Sequence, residues 1–287
     1  MNLEDLQIFK ETANIQNITK TAIRLNRTQS NITARIKHLE HYYNTRLFNR
    51  HRHGVTLTAS GKTLLAYVEK VLQWMNDAEN TLLHSKEPSG MLSLGSMETT
   101  AATRLPALLS SYHEDYPQVD LSLTTGTTER LIGAVLGREI EGAFVAGNPG
   151  HPSLESVEVF KEELVVIGKK SLLPQLNKAQ LQHQTMIVFQ SGCFYRQTFE
   201  TWLQSKGVRP SRTMELNTLD GILGCVKSGL GISLLTKAAA AGLIKNKEVN
   251  QFDLPPDYSP MTTFFIYHKE NVSTSAFKEF LSRLRTS

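Results

Sequence analysis

The chain has 287 residues, of which 40% are hydrophobic and 20% are charged, as expected for an ordinary globular protein of about two domains. No apolar run approaches the ~20 residues of a membrane span, and two cysteines are too few for a disulfide framework. The composition therefore excludes a membrane protein and a disulfide-rich secreted scaffold. Polar and acidic residues directly follow Met1, which argues against a secretory signal and favours a cytoplasmic protein.

Positive charge is concentrated at the start of the chain. Residues 1–60 hold nine Lys and Arg against four Asp and Glu, a surplus of five, whereas the remaining residues are nearly neutral. A small basic module joined to a neutral C-terminal region predicts contact with a polyanion, nucleic acid in particular. The alternative is a solvated basic face, which charge alone does not exclude.

Apolar residues at helical spacing predict three helices in the basic module. Each is preceded by a residue that can cap a helix, namely Asn2, Asn17 or Thr28. Asn26 lies in the tight turn before the third helix, at a position that needs a left-handed backbone, which Asn tolerates. Helices joined by so short a turn must cross steeply, so the sequence predicts a helix-turn-helix whose last helix spans about residues 28–43. The apolar positions are Leu3, Leu6, Phe9 and Ala13, then Ile18, Ala22 and Leu25, and finally Ile32, Ile36 and Leu39.

The face of the third helix opposite its apolar positions carries mostly short, polar side chains. Such side chains can reach base edges without holding a helix away from DNA, and Gln or Asn can bond adenine in bidentate fashion. A basic hairpin with Gly54 at its turn follows, and it is typical of a wing that meets phosphates or the minor groove. A solvated helix face and a solvated hairpin are the alternatives. The candidate DNA-binding residues are Gln29, Ser30, Asn31, Thr33, Ala34 and Lys37 on the helix, and Arg50 and Arg52 on the hairpin.

A long helix is predicted after the hairpin, capped by Thr58 or Ser60 and ended by Pro88-Ser89-Gly90. Its apolar residues are separated by alternating steps of four and three residues, which is a heptad seam. Because a helix between two domains has little of its own to cover such a stripe, we expect it to pair with the same helix of a second copy. The alternative is packing on its own domain. The seam residues are Leu64, Val68, Val71, Met75, Ala78 and Leu82.

Strands and helices alternate from Met91 onward, which predicts parallel sheets covered by helices. The expected strands are 91–96, 119–125, 143–145, 164–168, 186–189 and 232–235. The expected helices are 100–116, 129–137, 194–206, 219–227 and 273–284.

Several of these strands are followed by Ser or Thr where the next helix begins. Ligands of open α/β sheets bind at the carboxyl ends of strands, and helix N-termini favour anions. We therefore predict a cleft for a small anionic ligand, with Arg196 countering a carboxylate; alternatively, these residues only cap helices. Cys193 is either a reactive thiol with a lowered pKa or, more plainly, a small buried residue. The candidate ligand-binding residues are Thr99, Thr100, Thr127, Thr128, Ser191, Cys193 and Arg196.

One run of residue types extends over the basic module: Asn17-Ile18-Thr19, Ala22, Leu25, Thr28-Gln29-Ser30-Asn31-Ile32-Thr33, Ile36, Leu39-Glu40, Leu47-Phe48, Arg50, Leu57-Thr58 and Gly61. This run resembles the LysR-type bacterial transcription regulators. The resemblance covers the whole chain and includes the glycine turn Gly229-Leu230-Gly231-Ile232. Four residues depart from the family's usual pattern without removing a buried position of the helix-turn-helix. They are Ser30 and Asn31 in place of Pro and Ala, Arg27 in place of an apolar residue, and Thr236 in place of Pro.

The resemblance implies a mixed fold: an all-α winged helix-turn-helix domain, a long dimerising linker helix and an α/β effector domain of two Rossmann-like halves. It implies promoter DNA, a small-molecule effector and further copies of the chain as partners, in dimers or tetramers, with RNA polymerase as an additional candidate. Among the DNA-binding candidates it points most firmly to Gln29, Ser30 and Thr33. The corresponding domain boundaries are 1–58, 59–87 and 88–287, with one half at about 91–160 and 267–287 and the other at about 161–266.

An enzyme and a solute-binding protein are the competing interpretations. The sequence has no P-loop, no CxxC pair and no HExxH or GxSxG motif, and no spacing joins its His and acidic residues into a catalytic set. A solute-binding protein would fit residues 91–287 but would leave the basic module unexplained. We therefore predict a regulator that uses neither a metal nor a cofactor and has no membrane partner.

Overall fold

The chain divides into two compact units, Met1–Lys86 and Glu87–Ser287, which we name the head and the body. The computed structural model describes residues 1–52, 54–82, 87–169, 178–271 and 274–286. His53 in the predicted hairpin, Ser273 at the start of the last predicted helix, and residues 83–86 at the end of the predicted linker helix lie outside the described residues.

The described part of the head contains four helices and a two-stranded hairpin. The helix-turn-helix is confirmed, because Asn2, Asn17 and Thr28 each accept a hydrogen bond from a backbone N–H in the first turn of the helix that follows. Asn26 has a φ of 53°, in the left-handed region expected for the turn. The elements are α1 (Leu3–Ile15), α2 (Ile18–Arg24), α3 (Gln29–Tyr42), β1 (Phe48–His51), β2 (Gly54–Leu57) and α4 (Ala59–Leu82).

An apolar core holds α3 on α1 and the hairpin. Ile36 and Leu39 of α3 are fully buried with Phe9 of α1, and the rings of Phe9 and Phe48 lie 5.3 Å apart. This packing fixes which face of α3 points inward, so the opposite face is left to solvent.

Helix α4 belongs partly to this core. Val68 is 2% exposed and Leu64 packs against the same cluster, because α4 lies against α1. The expectation that the whole heptad seam is available to a partner is therefore wrong for its first two positions. Val71, Met75 and Ala78 are exposed, and the side chain of Leu82 lies outside the described part of the chain.

The body alternates strands and helices, as predicted. The helix expected at 100–116 is instead two helices that meet at Arg104, with Pro106 in the first turn of the second. The elements are β3 (Gly90–Ser96), α5 (Glu98–Thr103), α6 (Leu105–Asp115), β4 (Val119–Thr125), α7 (Thr128–Leu136), β5 (Gly142–Ala146), β6 (Leu154–Gly168), α8 (Lys178–His183), β7 (Thr185–Val188), α9 (Phe194–Ser205), β8 (Arg212–Glu215), α10 (Leu219–Ser228), β9 (Ser233–Thr236), α11 (Lys237–Lys245), β10 (Asn250–Asp253), β11 (Pro260–His268) and α12 (Ser275–Thr286).

The sheets of the body are mixed. In the described residues the main sheet has the order β10-β6-β11-β5-β3-β4, with β9 also paired to β6, and β7 pairs separately with β8. The pairs β3/β4, β3/β5 and β7/β8 are parallel, as predicted. The expectation of parallel sheets throughout is wrong, because β6 and β11 run antiparallel to each other and to their other neighbours.

Strands β6 and β11 connect two apolar clusters. The first part of β6 pairs with β11, whereas Leu164–Gly168 pair with β9 and β10. One cluster contains Phe144 and Phe280, and the other contains Phe199 and Trp202. The chain was expected to rejoin the half that contains residues 91–160 at about residue 267. It rejoins that half earlier, because β11 pairs with β5 from Thr263 onward.

Candidate functional site

The outer face of α3 carries the six predicted DNA-binding residues of the helix. Exposed on it are Gln29, Ser30, Ala34 and Lys37, and half-buried at its edge are Asn31 and Thr33. The Gln29 side-chain oxygen accepts a hydrogen bond from the Thr19 hydroxyl at 3.3 Å, and the Ser30 and Thr28 hydroxyls lie 3.0 Å apart. The Asn31 side-chain oxygen is buried and has no hydrogen-bond partner among the described residues. The hydroxyl of Ser30, the residue that departs from the family pattern, thus lies beside the Thr28 hydroxyl that caps α3.

The hairpin places Arg50 and Arg52 in solvent, and neither forms an ion pair with any described residue. A Cβ at Gly54 would lie 2.3 Å from the carbonyl oxygen of Gln16, which also accepts a hydrogen bond from the Val55 N–H at 2.9 Å. Glycine is therefore required for this close approach. The contact anchors the hairpin to the end of α1 while its arginines stay available to a partner.

Two acidic residues at the start of α1 bind the basic residues of the turn and of α3. Glu4 pairs with Arg27 at 3.1 Å and with Arg35 at 3.3 Å. Asp5, which is fully buried, pairs with Arg35 at 3.0 Å and bonds Nδ1 of His38 at 3.2 Å. Arg27, unusual at its position, thus has a specific partner. Sequence analysis missed this cluster, because spacing along the chain does not show that these parts of α1 and α3 meet.

Asp5 is ionised although it is buried. Burial by itself raises the pKa of the Asp5 carboxyl group. Hydrogen bonds from the Asn2 backbone N–H, His38 and Arg35, together with the charge of Arg35, outweigh that effect and hold the pKa below its ordinary value of 3.8. The carboxylate thereby ties the first turn of α1 to α3.

The body contains a cavity of about 290 Å³ between residues that follow β3 and β4 and residues that follow β7. Its position at the carboxyl ends of these strands is the one that the sequence predicted. Five of the seven candidate ligand-binding residues line it, namely Thr99, Thr127, Thr128, Ser191 and Cys193.

The other two candidates, Thr100 and Arg196, do not line the cavity. Thr100 is buried beside Thr99, because successive residues of a helix point in different directions. Arg196 bonds Glu200 at 2.9 Å and Glu215 at 2.7 Å. The expectation that Arg196 counters a ligand carboxylate is therefore wrong, since both acids already occupy its guanidinium group.

Three functional candidates in the cavity wall were missed. Glu98 and Arg130 line the cavity beside the predicted threonines, and their positions next to strand ends are the signal that could have found them. Tyr195 is buried, and its hydroxyl lies 2.7 Å from that of Thr99 on the opposite wall. Burial raises the pKa of the Tyr195 phenol well above its ordinary value, so it is neutral. No periodic pattern marks a tyrosine that bridges two walls.

Cys193 is not an activated thiol. Burial raises the pKa of the Cys193 thiol, and the opposing effects of the backbone N–H groups of Arg196 and Tyr195 and of the Arg196 charge are smaller. The possibility of a lowered pKa at this helix start is therefore wrong. Cys193 and Cys225 are both free cysteines.

Neither a membrane span nor a metal site is found in the part of the chain that the structure describes. No helix there is long and apolar enough to cross a membrane. No group of three or more His, Cys, Asp or Glu side chains there is placed to hold a metal ion.

Two family models together match most of the sequence. Residues 3–62 match the bacterial regulatory helix-turn-helix protein of the lysR family, and residues 85–287 match the LysR substrate binding domain. The chain therefore belongs to the LysR family of DNA-binding transcription regulators, with an effector-binding domain in its body.

Relatives of similar length support this assignment. The chain is 43% identical to the HTH-type transcriptional regulator GltR of Bacillus subtilis (strain 168) over 99% of this chain and 96% of that protein. It is 40% identical to the HTH-type transcriptional regulator CzcR of Bacillus anthracis over 99% and 97% of the two chains. These relatives are transcription regulators, so the chain is a regulator rather than an enzyme.

Solved structures share the fold. Full-length CbnR in complex with its target DNA has a TM-score of 0.71 and 21% identity, with coverage of 100% of this chain and 99% of that one. A mutant of OxyR from Corynebacterium glutamicum has a TM-score of 0.62 and 20% identity over 99% and 91% of the two chains. The mixed architecture of a winged helix-turn-helix, a long helix and an α/β domain is thus confirmed.

Asp5→Asn should lower the free energy of unfolding at neutral pH by about 1–3 kcal/mol, because the amide keeps the shape but loses charge-assisted hydrogen bonds. Folding lowers the pKa of Asp5, so its stabilisation is present above the ordinary value of 3.8 and is lost as pH falls through the lower folded-state value. Urea denaturation of the full chain, followed by circular dichroism, should show the difference between wild type and variant shrinking in acid.

Glu4→Gln is the matched control, because Glu4 is more exposed and its ion pairs should contribute less than about 1 kcal/mol. A difference between wild type and Asp5→Asn that stays constant from neutral to strongly acidic pH would contradict an ionised Asp5.

Proposed function

We propose that the regulator binds double-stranded promoter DNA by placing α3 in the major groove, with the hairpin as a wing. The observation that carries this proposal is the outer face of α3, where Ser30 stands opposite the buried face and Gln29 and Thr33 flank it. Side chains of this length can contact base edges, and Asn31, Ala34 and Lys37 complete the same surface. Arg50 and Arg52 have no acidic partner among the described residues, so they can neutralise phosphates.

Gln29→Ala should weaken binding to the operator by about 1–3 kcal/mol and should change binding to unrelated DNA much less, because a base contact is lost. Arg52→Ala should weaken binding to both DNAs about equally and should reduce the slope of log affinity against log salt by about one. The operator comes from genome-wide mapping of bound DNA, and fluorescence anisotropy at several salt concentrations measures both effects.

Arg209→Ala is the control for loss of one positive charge, because Arg209 is an exposed arginine of the body. It should leave both affinities unchanged. A salt-independent affinity of the wild-type protein, or equal losses on both DNAs for Gln29→Ala, would contradict this mode of binding.

We further propose that the regulator binds DNA as an oligomer whose subunits pair through α4. Tyr67, Val71, Trp74 and Met75 are 65%, 36%, 55% and 41% exposed. Together with the exposed Ala78 they form an apolar stripe on one helix, and such a stripe marks an interaction surface. The stripe includes the later residues of the predicted seam, Val71, Met75 and Ala78. It does not include Leu64 and Val68, which pack into the core of the head. Pairing of such dimers into tetramers is what the family resemblance adds.

Val71→Asp should abolish dimers, because pairing would bury a carboxylate without a partner at a cost of several kcal/mol. Ile23→Asp is the matched control, since Ile23 is 76% exposed on α2, away from the stripe. Analytical ultracentrifugation should find monomers only for Val71→Asp, and operator affinity should fall with dimerisation. A wild-type chain that is monomeric at micromolar concentration would overturn the proposal.

We also propose that a small molecule carrying a carboxylate binds in the cavity of the body and changes DNA binding. The cavity wall offers the hydroxyl groups of Thr127, Thr128 and Ser191, and Arg130 takes the role that Arg196 was expected to fill. Such a ligand acts only by its different affinity for two arrangements of the protein, so DNA must change ligand affinity by the same factor. RNA polymerase stays a predicted partner with no residue assigned to it.

A further inference from the structure

Two oppositely charged side chains line the cavity without protein partners. Glu98 is the first residue of α5 and Arg130 lies in the first turn of α7. Among the described residues, no ion pair and no hydrogen bond involves the side chain of either one, although the backbone N–H of Arg130 donates to the Thr127 hydroxyl at 3.4 Å. Two other arginines of the body, Arg104 and Arg196, are each bonded to a glutamate at 2.7 Å. The charges of Glu98 and Arg130 are therefore available to a ligand.

The opposite signs of these two groups restrict the chemistry of the ligand. A charge that loses water without gaining a counter-charge is unfavourable. A ligand with only a carboxylate would pair with Arg130 but would desolvate Glu98 and repel it. A ligand with only a cation would have the reverse effect on the arginine. A ligand with both charges satisfies both groups and adds no net charge to the cavity.

We propose that the cavity binds a small zwitterion of the amino-acid class, with Arg130 holding the carboxylate and Glu98 holding the ammonium group. The inference rests on the proposed effector function and adds the ligand class. The forked guanidinium group matches a carboxylate in bidentate geometry, and a carboxylate accepts hydrogen bonds from an ammonium group. Met97 and Phe189 line the same cavity and provide an apolar surface for the rest of the ligand.

A panel of matched compounds tests the ligand class on the full-length chain. It contains the proteinogenic L-amino acids, the carboxylic acids that lack their α-amino group and the amines that lack their α-carboxylate. Thermal shift identifies binders, and isothermal titration measures their affinities. We expect at least one amino acid to bind at least about tenfold more tightly than its matched acid and its matched amine, because each removes one charge-assisted contact.

Two variants assign the contacts. Glu98→Gln should lower the affinity for the amino acid to about that for its matched acid, so that the preference for a ligand with an ammonium group disappears. Arg130→Gln should abolish binding of both the amino acid and its matched acid. Glu200→Gln is the control for loss of an acid, because Glu200 binds Arg196 outside the cavity, and it should keep the wild-type preference. A circular dichroism spectrum of each variant checks that the body stays folded.

The outcomes separate this inference from the proposed function. If matched acids bind as tightly as amino acids, or if Glu98→Gln keeps the preference, the zwitterion assignment is overturned and the cavity remains an effector site for acids. If the amines bind as well as the amino acids, the role of Arg130 is overturned. If no compound binds, both the ligand class and the carboxylate effector fail, while the DNA-binding proposal stands on its own titrations.

Discussion

The antiparallel pair of β6 and β11 is the constraint on which the body depends. The two strands pair with each other along the whole of β11, and β6 then continues to β9 and β10, so both apolar clusters share one hydrogen-bonded ladder. Glu162 of β6 is buried and accepts two hydrogen bonds from Arg104, at 2.7 and 3.0 Å, where α5 meets α6. This ion pair fixes the first half to the ladder. The two strands are thus the part of the body that both apolar clusters have in common.

The cavity lies between residues that follow β3 and β4 and residues that follow β7, so its two walls come from different parts of the body. Thr99 and Tyr195 already bond across it at 2.7 Å. Gly192 has a φ of +84°, and a Cβ there would lie 2.8 Å from a carboxylate oxygen of Glu129 and 3.2 Å from the Thr127 hydroxyl. The walls thus nearly touch beside the cavity, and opening it would break a buried hydroxyl pair. The proposed ligand would bond both walls and so add to these contacts, and it could regulate DNA binding only by favouring one arrangement of the protein over another.

Local signals explain what the sequence predicted, and long-range contacts explain what it missed. Caps such as Asn17 and the helical spacing of the head depend on neighbours in the chain, so the helix-turn-helix followed directly from the sequence. Heptad spacing could not show which residues of α4 the core of the head would cover. Val68 was therefore predicted to contact a second copy although it is buried within the head, and the exposed Trp74 was not predicted at all. The positions of the strand ends predicted the location of the cavity correctly. Arg196 was wrongly predicted to face the ligand, because its partner Glu215 lies on β8, a strand that the sequence pattern did not predict.

The structure shows which positive charges of the head have acidic partners within the protein and which do not. Arg24, Arg27 and Arg35 each pair with an acid of α1, at distances of 3.0 to 3.3 Å, so much of their charge is neutralised within the protein. Arg50 and Arg52 have no such partner among the described residues, and Lys37 is exposed on α3. Lys10, Lys20 and Arg46 also form no ion pair with any described residue, so the hairpin and the outer face of α3 carry part of the positive charge that remains. In the proposed binding mode, Lys37, Arg50 and Arg52 attract the phosphate backbone to the same surface that carries the proposed base-contacting side chains, whereas the acids of α1 neutralise Arg24, Arg27 and Arg35.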